Sequence, residues 1–266
     1  MLSARVLWSA SAFFASCAIS SFVAAQSPTA PAPAEFDAAS IKENKTLDAG
    51  GTFRLMPRGI GITAQHMPAR NLITIAYELQ PFQLIGAPDW ARETAYDINA
   101  KTGHTAAREQ LFVMLQALLT DRFKLAFHRE TRQLDGFALV RLRANSLGPT
   151  LRPSSLDCAT AFSTVPRCRQ GGITMSPTSG LVNVAGLPIW SLLQIIIGQV
   201  GAPVSDDTQL TGNFDIELRW SNEVAPSDDL RSIYTALQEQ LGLKLERRRV
   251  SSEVFVVDRF EHPSPD

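Results

Sequence analysis

The stretch that decides the fold occurs twice, as GTFRLMPRGIGITAQHMPARNLITIAY at residues 51–77 and as GGITMSPTSGLVNVAGLPIWSLLQIII at residues 171–197. The two copies align without a gap at an offset of 120 residues, with glycine, proline, leucine and isoleucine at matching places. Three more pairs of segments follow in the same order: AYDINA with NFDIEL, DRFKLAFHRE with LGLKLERRRV, and DGFALVR with SEVFVVDR. Repeated matches in one order indicate a duplicated fold unit.

The residue pattern of both copies predicts the same order of secondary-structure elements. Alternating residues around Pro and Gly turn formers predict a first hairpin, at 53–56 with 60–65 and at 173–176 with 181–185. A helix follows, with Pro68 or Pro188 in its first turn, and then a strand at 96–100 or 214–218. The predicted fold class is α+β: two tandem β-β-α-β-α-β-β units, each with two helices packed on small mixed or antiparallel sheets.

A second helix and a final hairpin complete each predicted unit. Helical spacing defines one apolar face in each copy: Leu111, Met114, Leu115, Leu118 and Leu119, then Leu230, Ile233, Tyr234, Leu237 and Leu241. The final hairpins are expected to pair 124–128 with 137–141 and 244–248 with 254–259.

The segment LPIWSLLQIII (187–197) lies in a stretch, 170–205, without any charged residue or histidine. Interruptions by Pro, Ser, Gln and Gly leave an apolar run too short to span a bilayer. A helix that is apolar on most faces is usually buried. We therefore expect Trp190 and Ile197 to be buried at positions where the first copy exposes Arg70 and Tyr77.

The N-terminus has the pattern of a secretory signal peptide. Arg5 precedes an apolar run, and small residues end at Ala25. The predicted plan is a signal peptide (1–25), a Pro/Ala linker (26–35), a first unit (36–142), a linker loop with a disulfide (143–170) and a second unit (171–262). The mature chain is expected outside the cytoplasm, periplasmic or extracellular, without a transmembrane helix. An uncleaved anchor and a lipid anchor at Cys17 are the alternatives.

Composition narrows the classes of partner. The chain is 45% hydrophobic and 19% charged, which is ordinary for a globular protein. Without residues 1–25 it carries 24 basic and 26 acidic residues, a net charge of −2, which argues against nucleic acid as a partner. Cys158 and Cys168 remain, and an even pair in an exported chain predicts a disulfide. A zinc site is the weaker reading, because no histidine is near.

Residues with catalytic potential are few. The motif GIGITA (59–64) fits a dinucleotide fingerprint only formally, because a strand rather than a helix is predicted after it. The four histidines form no zinc-helix spacing, and no G-x-S-x-G elbow occurs. Asp97 and Asp215 are equivalent in the two units and are a candidate carboxylate pair. We expect no cofactor and no metal, and keep an enzyme with a site in the cleft between the units as the alternative function.

Basic residues cluster in the two predicted final hairpins. They are candidates for binding an anionic partner, such as a polyacid or an acidic protein face: Lys124, His128, Arg129, Arg132, Lys244, Arg247, Arg248 and Arg249. The alternative is that charged strand edges only prevent aggregation.

Several motifs resemble a known family across nearly the whole mature chain. They include FDAASIKENK, YDINAK, MLQALLTDRFKLAFHRETRQLDGFALV and LTGNFDIELRW. The chain resembles a soil-associated family of unknown function that is abundant in acidobacteria. The order of elements after residue 184 is also similar to the small N-terminal domain of secretins and TonB-dependent transducers, which binds partner proteins in the periplasm. These resemblances imply a non-catalytic binding module of the cell envelope, in sensing or signalling, with envelope proteins as partners. A purely structural envelope protein is a further alternative.

Overall fold

The computed structural model describes residues 35–46, 50–159, 166–176, 179–221 and 232–263. All of them belong to one compact unit. Within these residues, twelve strands form three four-stranded sheets, with helices packed against them. The predicted α+β class is confirmed. The signal peptide, most of the Pro/Ala linker and Leu230 lie outside the described residues.

The elements of the N-terminal half occupy residues 38–141. They are β1 (Ala38–Asn44), β2 (Thr52–Leu55), β3 (Gly61–Pro68), α1 (Ala69–Ala76), β4 (Leu84–Ile85), α2 (Trp90–Glu93), β5 (Ala95–Lys101), α3 (Arg108–Arg122) and β6 (Ala126–Arg141).

The elements of the C-terminal half occupy residues 151–259. They are β7 (Leu151–Ser154), β8 (Gly172–Met175), β9 (Ser179–Pro188), α4 (Ile189–Val200), β10 (Val204–Asp206), β11 (Asn213–Ser221), α5 (Ile233–Ala236) with a following π-helical turn (Leu237–Leu241), and β12 (Leu243–Arg259).

The two outer sheets have corresponding strand orders, β1-β5-β3-β2 and β7-β11-β9-β8. In both, the predicted first hairpin is present, as β2 with β3 and β8 with β9. The edge strands β1 and β7 were not predicted, and β7 lies inside the segment that was interpreted as a linker. The matching strand orders of the two outer sheets agree with a duplication within the chain, which stays a prediction.

Helix α3 illustrates how the sequence specifies these elements. Its five predicted apolar residues are all buried, because their spacing puts them on one face of the helix. At its start, the side chain of Gln110 accepts a hydrogen bond from the amide of Ala107 (2.9 Å). That bond satisfies one of the amides that a helix N-terminus leaves free.

The predicted final hairpins are wrong. Strand β6 continues without a turn through all of its 16 residues, and β12 through all of its 17. The two strands pair with each other along their whole lengths in antiparallel register, from Ala126 opposite Arg259 to Arg141 opposite Leu243. The third sheet has the order β10-β6-β12-β4.

No turn forms between residues 128 and 137 of β6, and Gly136 has another role there. A Cβ atom on Gly136 would lie 2.3 Å from the carbonyl oxygen of Pro203, which precedes β10. Glycine therefore allows a neighbouring strand to approach closely. In β12 the corresponding region, 250–253, contains neither glycine nor proline to make a turn.

Each long strand carries its apolar residues into the core of the other half. Leu139 of β6 is fully buried in the C-terminal core, together with Leu218 and Leu241. Phe255 of β12 and Phe260 are buried in the N-terminal core. The two halves thus exchange strand segments, and neither core is complete without the other half.

The expected burial of Trp190 is also wrong. Trp190 is 57% exposed and Ile197 is only partly buried, whereas Arg70 and Tyr77 are themselves partly buried. Helix α1 packs mainly against α3 and α2, but α4 packs mainly against β9 and β10. The outer face of α4 therefore stays accessible although its sequence is more apolar.

An aromatic cluster fixes the C-terminal end of the chain to the N-terminal half. The ring of Trp90 stacks on those of Phe260 (5.0 Å) and His262 (4.0 Å). The Tyr96 hydroxyl lies 2.9 Å from Nδ1 of His262, and burial raises the pKa of Tyr96 to about 12. The negative charge of Glu43 is a second, smaller cause of this rise in the pKa.

This pKa gives an alkaline stability prediction. A free tyrosine ionises near pH 10, so burial of neutral Tyr96 stabilises the fold below that pH. That contribution is expected to fall as the pH rises from about 10 to about 12. Urea unfolding across this range measures the loss, and phenolate absorbance should show Tyr96 ionising late. Tyr96→Phe should flatten the pH dependence; an unchanged dependence in this variant would assign it to other groups.

Candidate functional site

The central ribbon, formed by β6 and β12 over their whole lengths, brings the predicted basic residues together. Seven of the eight lie on it, and Lys124 lies two residues before β6. Within the described part of the chain, all but Arg247 have a carboxylate within 4.0 Å. The pairs are Lys124–Asp121, His128–Asp258, Arg129–Glu253, Arg132–Glu130, Lys244–Glu246, Arg248–Asp207 and Arg249–Asp135. Such exposed pairs contribute little to stability and exchange readily.

Hydrogen bonds outside the ribbon show which main-chain groups of β6 point outward. Phe137 donates its N–H to the carbonyl of Pro203, and the carbonyl of Leu139 accepts from the N–H of Asp207. Since main-chain direction alternates along a strand, the odd-numbered residues of β6 point away from β12.

The same alternation holds for the outer side of β12. Residues directly opposite each other in an antiparallel ladder either bond to one another or both point away. Phe137 is opposite Arg247, so the odd-numbered residues of β12 also point outward. The carbonyl of Glu253 agrees, because it accepts a bond from Nε2 of Gln83 outside the ribbon (3.2 Å).

Short neighbouring strands cover only one end of each side of the ribbon. Strand β10 pairs with Phe137–Leu139 of β6, and β4 pairs with Phe255–Val256 of β12. In the described part of the chain, no strand pairs with the rest of either side. Two stretches are therefore open, the β6 edge (Ala126–Asp135) and the β12 edge (Leu245–Ser251).

The two open edges differ in how their polar groups are satisfied. On the β6 edge, the guanidinium of Arg249 donates to the carbonyl of Gln133 (2.5 Å). On the β12 edge, none of the described residues forms a hydrogen bond with the outward main-chain groups of Leu245, Arg247, Arg249 or Ser251. The β12 edge thus offers a row of free donors and acceptors.

Both ends of the ribbon carry the same arrangement of arginine and phenylalanine. Arg129 lies opposite Phe255, with its guanidinium 4.5 Å from the ring centroid. Arg247 lies opposite Phe137, whose ring contacts that of Tyr234 at 5.8 Å. A pocket of about 490 Å³ opens here, lined by residues 135–137 and 247–249. The rings of Phe255 and Phe137 therefore pack the ribbon against the rest of the protein, while the arginine side chains near them stay exposed.

The two residues of the candidate carboxylate pair, Asp97 and Asp215, lie in different sheets. Asp97 accepts hydrogen bonds from the amide of His66 (2.8 Å) and from Asn44 (2.9 Å), which hold the pKa of its carboxyl below the usual range. Asp215 accepts from the amide of Gly186 (3.0 Å) in another sheet. His66 and Gly186 both have positive φ. Each carboxylate thus stabilises a positive-φ position in the neighbouring strand, and among the described residues the two have no bonding partner in common.

The predicted cysteine pair lies next to Asp215. The sulfur atoms of Cys158 and Cys168 are at disulfide distance, 1.94 Å apart, and both residues are buried. The amide of Cys158 donates to the carbonyl of Gly186 (2.8 Å), and Arg167 forms an ion pair with Asp215 (2.7 Å). The disulfide therefore holds Cys158 and Arg167 beside the outer sheet β7-β11-β9-β8.

Loss of this disulfide is expected to weaken the fold. Cys158→Ser should lower the free energy of unfolding by about 3 kcal/mol, since the bond closes a short loop. Guanidinium denaturation measures the difference. A reducing agent should bring the natural chain to the level of the variant and leave the variant unchanged. A reductant effect on the variant would point to another cause.

Two further findings concern metals and membranes. Among the described residues, no group of three or more His, Cys, Asp or Glu is arranged to hold a metal ion. No helix in these parts of the chain has the length and apolarity needed to cross a bilayer.

Comparison with known proteins identifies a family. The sequence model of a family described as "protein of unknown function (DUF3738)" matches residues 70–260. That range includes the whole central ribbon, the whole outer sheet β7-β11-β9-β8 and, of the other outer sheet, only β5. No curated protein and no solved structure matches the chain.

Proposed function

The chain belongs to the DUF3738 family, whose description assigns no function, and we propose that it is a non-catalytic binding module outside the cytoplasm. In this proposal it binds an extended segment of an envelope protein by adding that segment as a strand to the central ribbon. The observation that carries the proposal is the open β12 edge, with its unpaired main-chain groups. Exposed edges bind partner strands through main-chain hydrogen bonds.

The proposed location rests on two features of the chain. The first 25 residues have the pattern of a secretory signal peptide. The cysteine pair at disulfide distance suits an oxidising compartment outside the cytoplasm. The resemblance to the acidobacterial family and to the small domain of secretins is part of the same proposal, as is a role in sensing or signalling.

The enzyme alternative loses its candidate residues. It relied on Asp97 and Asp215 facing each other across a cleft, and each of them is instead bonded to a main-chain amide of its own sheet. The strand-exchanged core also argues for a scaffold in which the two halves keep one fixed arrangement.

A block of the β12 edge tests the proposed function. The N–H of Ser251 points outward, so Ser251→Pro should remove an edge donor and add a bulky ring without breaking the β6–β12 ladder. A photo-crosslinker at Ser252 in the full chain, used in the native envelope, should capture a partner protein. The capture should persist in Ser251→Ala and be lost in Ser251→Pro.

Two controls make this result specific. A crosslinker at Thr174, exposed on β8 in another sheet, should not capture the same protein. The melting temperature of Ser251→Pro should stay close to that of Ser251→Ala. Capture that persists in a folded Ser251→Pro variant would sink the strand-addition proposal.

A further inference from the structure

We infer that the β12 edge selects an acidic extended segment, an inference that rests on the proposed function and names the chemistry of its partner. The edge carries three consecutive arginines, Arg247, Arg248 and Arg249, all exposed. Strand addition supplies affinity through the main chain, and the side chains on either side of the new strand supply selectivity.

The arginines lie on both faces of the ribbon. Arg247 and Arg249 project to the face that carries Phe137, because their partners are Phe137 and Asp135. Arg248 projects to the opposite face, where it crosses Gly136 to reach Asp207. A segment added along this edge alternates its own side chains between the same two faces. Carboxylates at consecutive positions would therefore meet an arginine on each face.

The charge on the edge is available to a partner. Arg247 has no carboxylate within ion-pair distance among the described residues. Arg248 and Arg249 contact Asp207 and Asp135, which lie on the β6 side of the ribbon, and these pairs are about half exposed or more at the arginine. Exposed ion pairs are worth little, so a carboxylate from an incoming strand can replace or share them.

The structure also limits where the segment lies. Beyond Ser251, the side chain of Gln83 donates a hydrogen bond to the carbonyl of Glu253, and β4 then pairs with β12 at Phe255 and Val256. The free row thus runs from Leu245 to Ser251 and ends in line with β4. Two copies of this chain are not expected to pair through their β12 edges. Their arginines would lie opposite each other, and like charges directly opposite in a sheet destabilise the pairing.

Peptide binding to the purified full-length mature chain tests the inference. The probe is a labelled peptide whose central glutamates are flanked by threonine and valine, and the matched peptides carry glutamine or lysine there. Fluorescence anisotropy should show binding of the glutamate peptide that weakens as salt is added. The glutamine peptide should bind more weakly, and the lysine peptide should not bind.

Variants separate charge from strand addition. Ser251→Pro keeps all three arginines and should weaken binding of the glutamate peptide about tenfold or more. The reason is that one main-chain hydrogen bond to the peptide is lost and the proline ring displaces the peptide strand there. Arg247→Gln should weaken it about threefold. Gln133→Pro, the matched block on the β6 edge, should leave binding unchanged.

Each of the other outcomes contradicts either the acidic selectivity or the proposed strand addition. If the glutamine peptide binds as tightly as the glutamate peptide and Ser251→Pro blocks both, acidic selectivity is wrong and the proposed function stands. If the glutamate peptide binds equally to Ser251→Pro, the arginines act as a plain surface charge and strand addition is wrong. If no peptide binds, both the selectivity and the peptide-binding edge are wrong.

Discussion

A chain that ends at Leu142 is expected to be unfolded, although it contains the whole of the first predicted unit. It would lack Phe255 and Phe260, which are 2% and 7% exposed in the N-terminal core. Phe255 stacks on Phe127 at 4.7 Å and Phe260 on Phe123 at 5.5 Å. Removing one buried phenylalanine side chain costs about 3–5 kcal/mol. Losing two of them costs about 6–10 kcal/mol, which is comparable to the whole reserve of about 5–15 kcal/mol of a typical domain, and the pairing partner of β6 is lost as well.

Circular dichroism and amide exchange of a 36–142 fragment measure this effect. The matched control is the C-terminal fragment, 143–266, which lacks the buried Leu139 and should be unfolded for the same reason. Mixed in equal amounts, the two fragments should assemble and regain a cooperative thermal transition. A 36–142 fragment that melts cooperatively by itself would contradict the strand exchange as the source of stability.

The sequence predicted the elements whose signals are local. The hairpin of β2 and β3 follows from turn formers between alternating residues, and α3 follows from the spacing of Leu111 to Leu119. A glycine signal of the same kind closes the last helix, since Gly242 has the left-handed φ of 68° that ends many helices. In each case the pattern and its structural consequence lie within about 15 residues of each other.

The pairing of β6 with β12 has no comparable local signal. A strand pattern shows which residues share a face but not which strand lies beside them. Asp135-Gly136 resembles a turn in sequence, and only the approach of Pro203 shows why glycine is needed there. The exposure of Trp190 was missed for a related reason, because it depends on which neighbour covers α4 rather than on the helix itself.

The candidate site was predicted in part. Charge clustering selected residues such as Arg132 and Arg248, and the structure brings seven of the eight onto the central ribbon. Their binding to an anionic partner stays a prediction. The open edge beside them could not be predicted, because it results from β4 and β10 being too short to cover the ribbon. That geometry shifts the interpretation from a surface charge to a strand-binding edge.

The largest fully buried side chain, that of Trp220, gives the second large expected effect. Trp220 is fully buried, and its Nε1 donates to Oε1 of Gln199 (3.2 Å). Trp220→Ala should lower the free energy of unfolding by about 3–5 kcal/mol, because it leaves a large cavity and removes the partner of Gln199. Chemical denaturation of the purified chain measures this loss. A cost below about 1 kcal/mol would approach that of an ordinary surface substitution. It would mean that the core closes over the space left by the ring.

Gly180 is expected to be required by the same tryptophan. A Cβ atom at Gly180 would lie 2.1 Å from two carbons of the Trp220 ring, far inside contact distance. Gly180→Ala should therefore destabilise the fold by about 1–3 kcal/mol through overpacking. Gly172→Ala on the neighbouring strand is the matched control, since a Cβ there meets nothing within 4 Å. In a Trp220→Leu background the penalty at Gly180 should shrink, because the ring that causes the clash is gone. An equal penalty in both backgrounds would trace the requirement for glycine to the backbone instead.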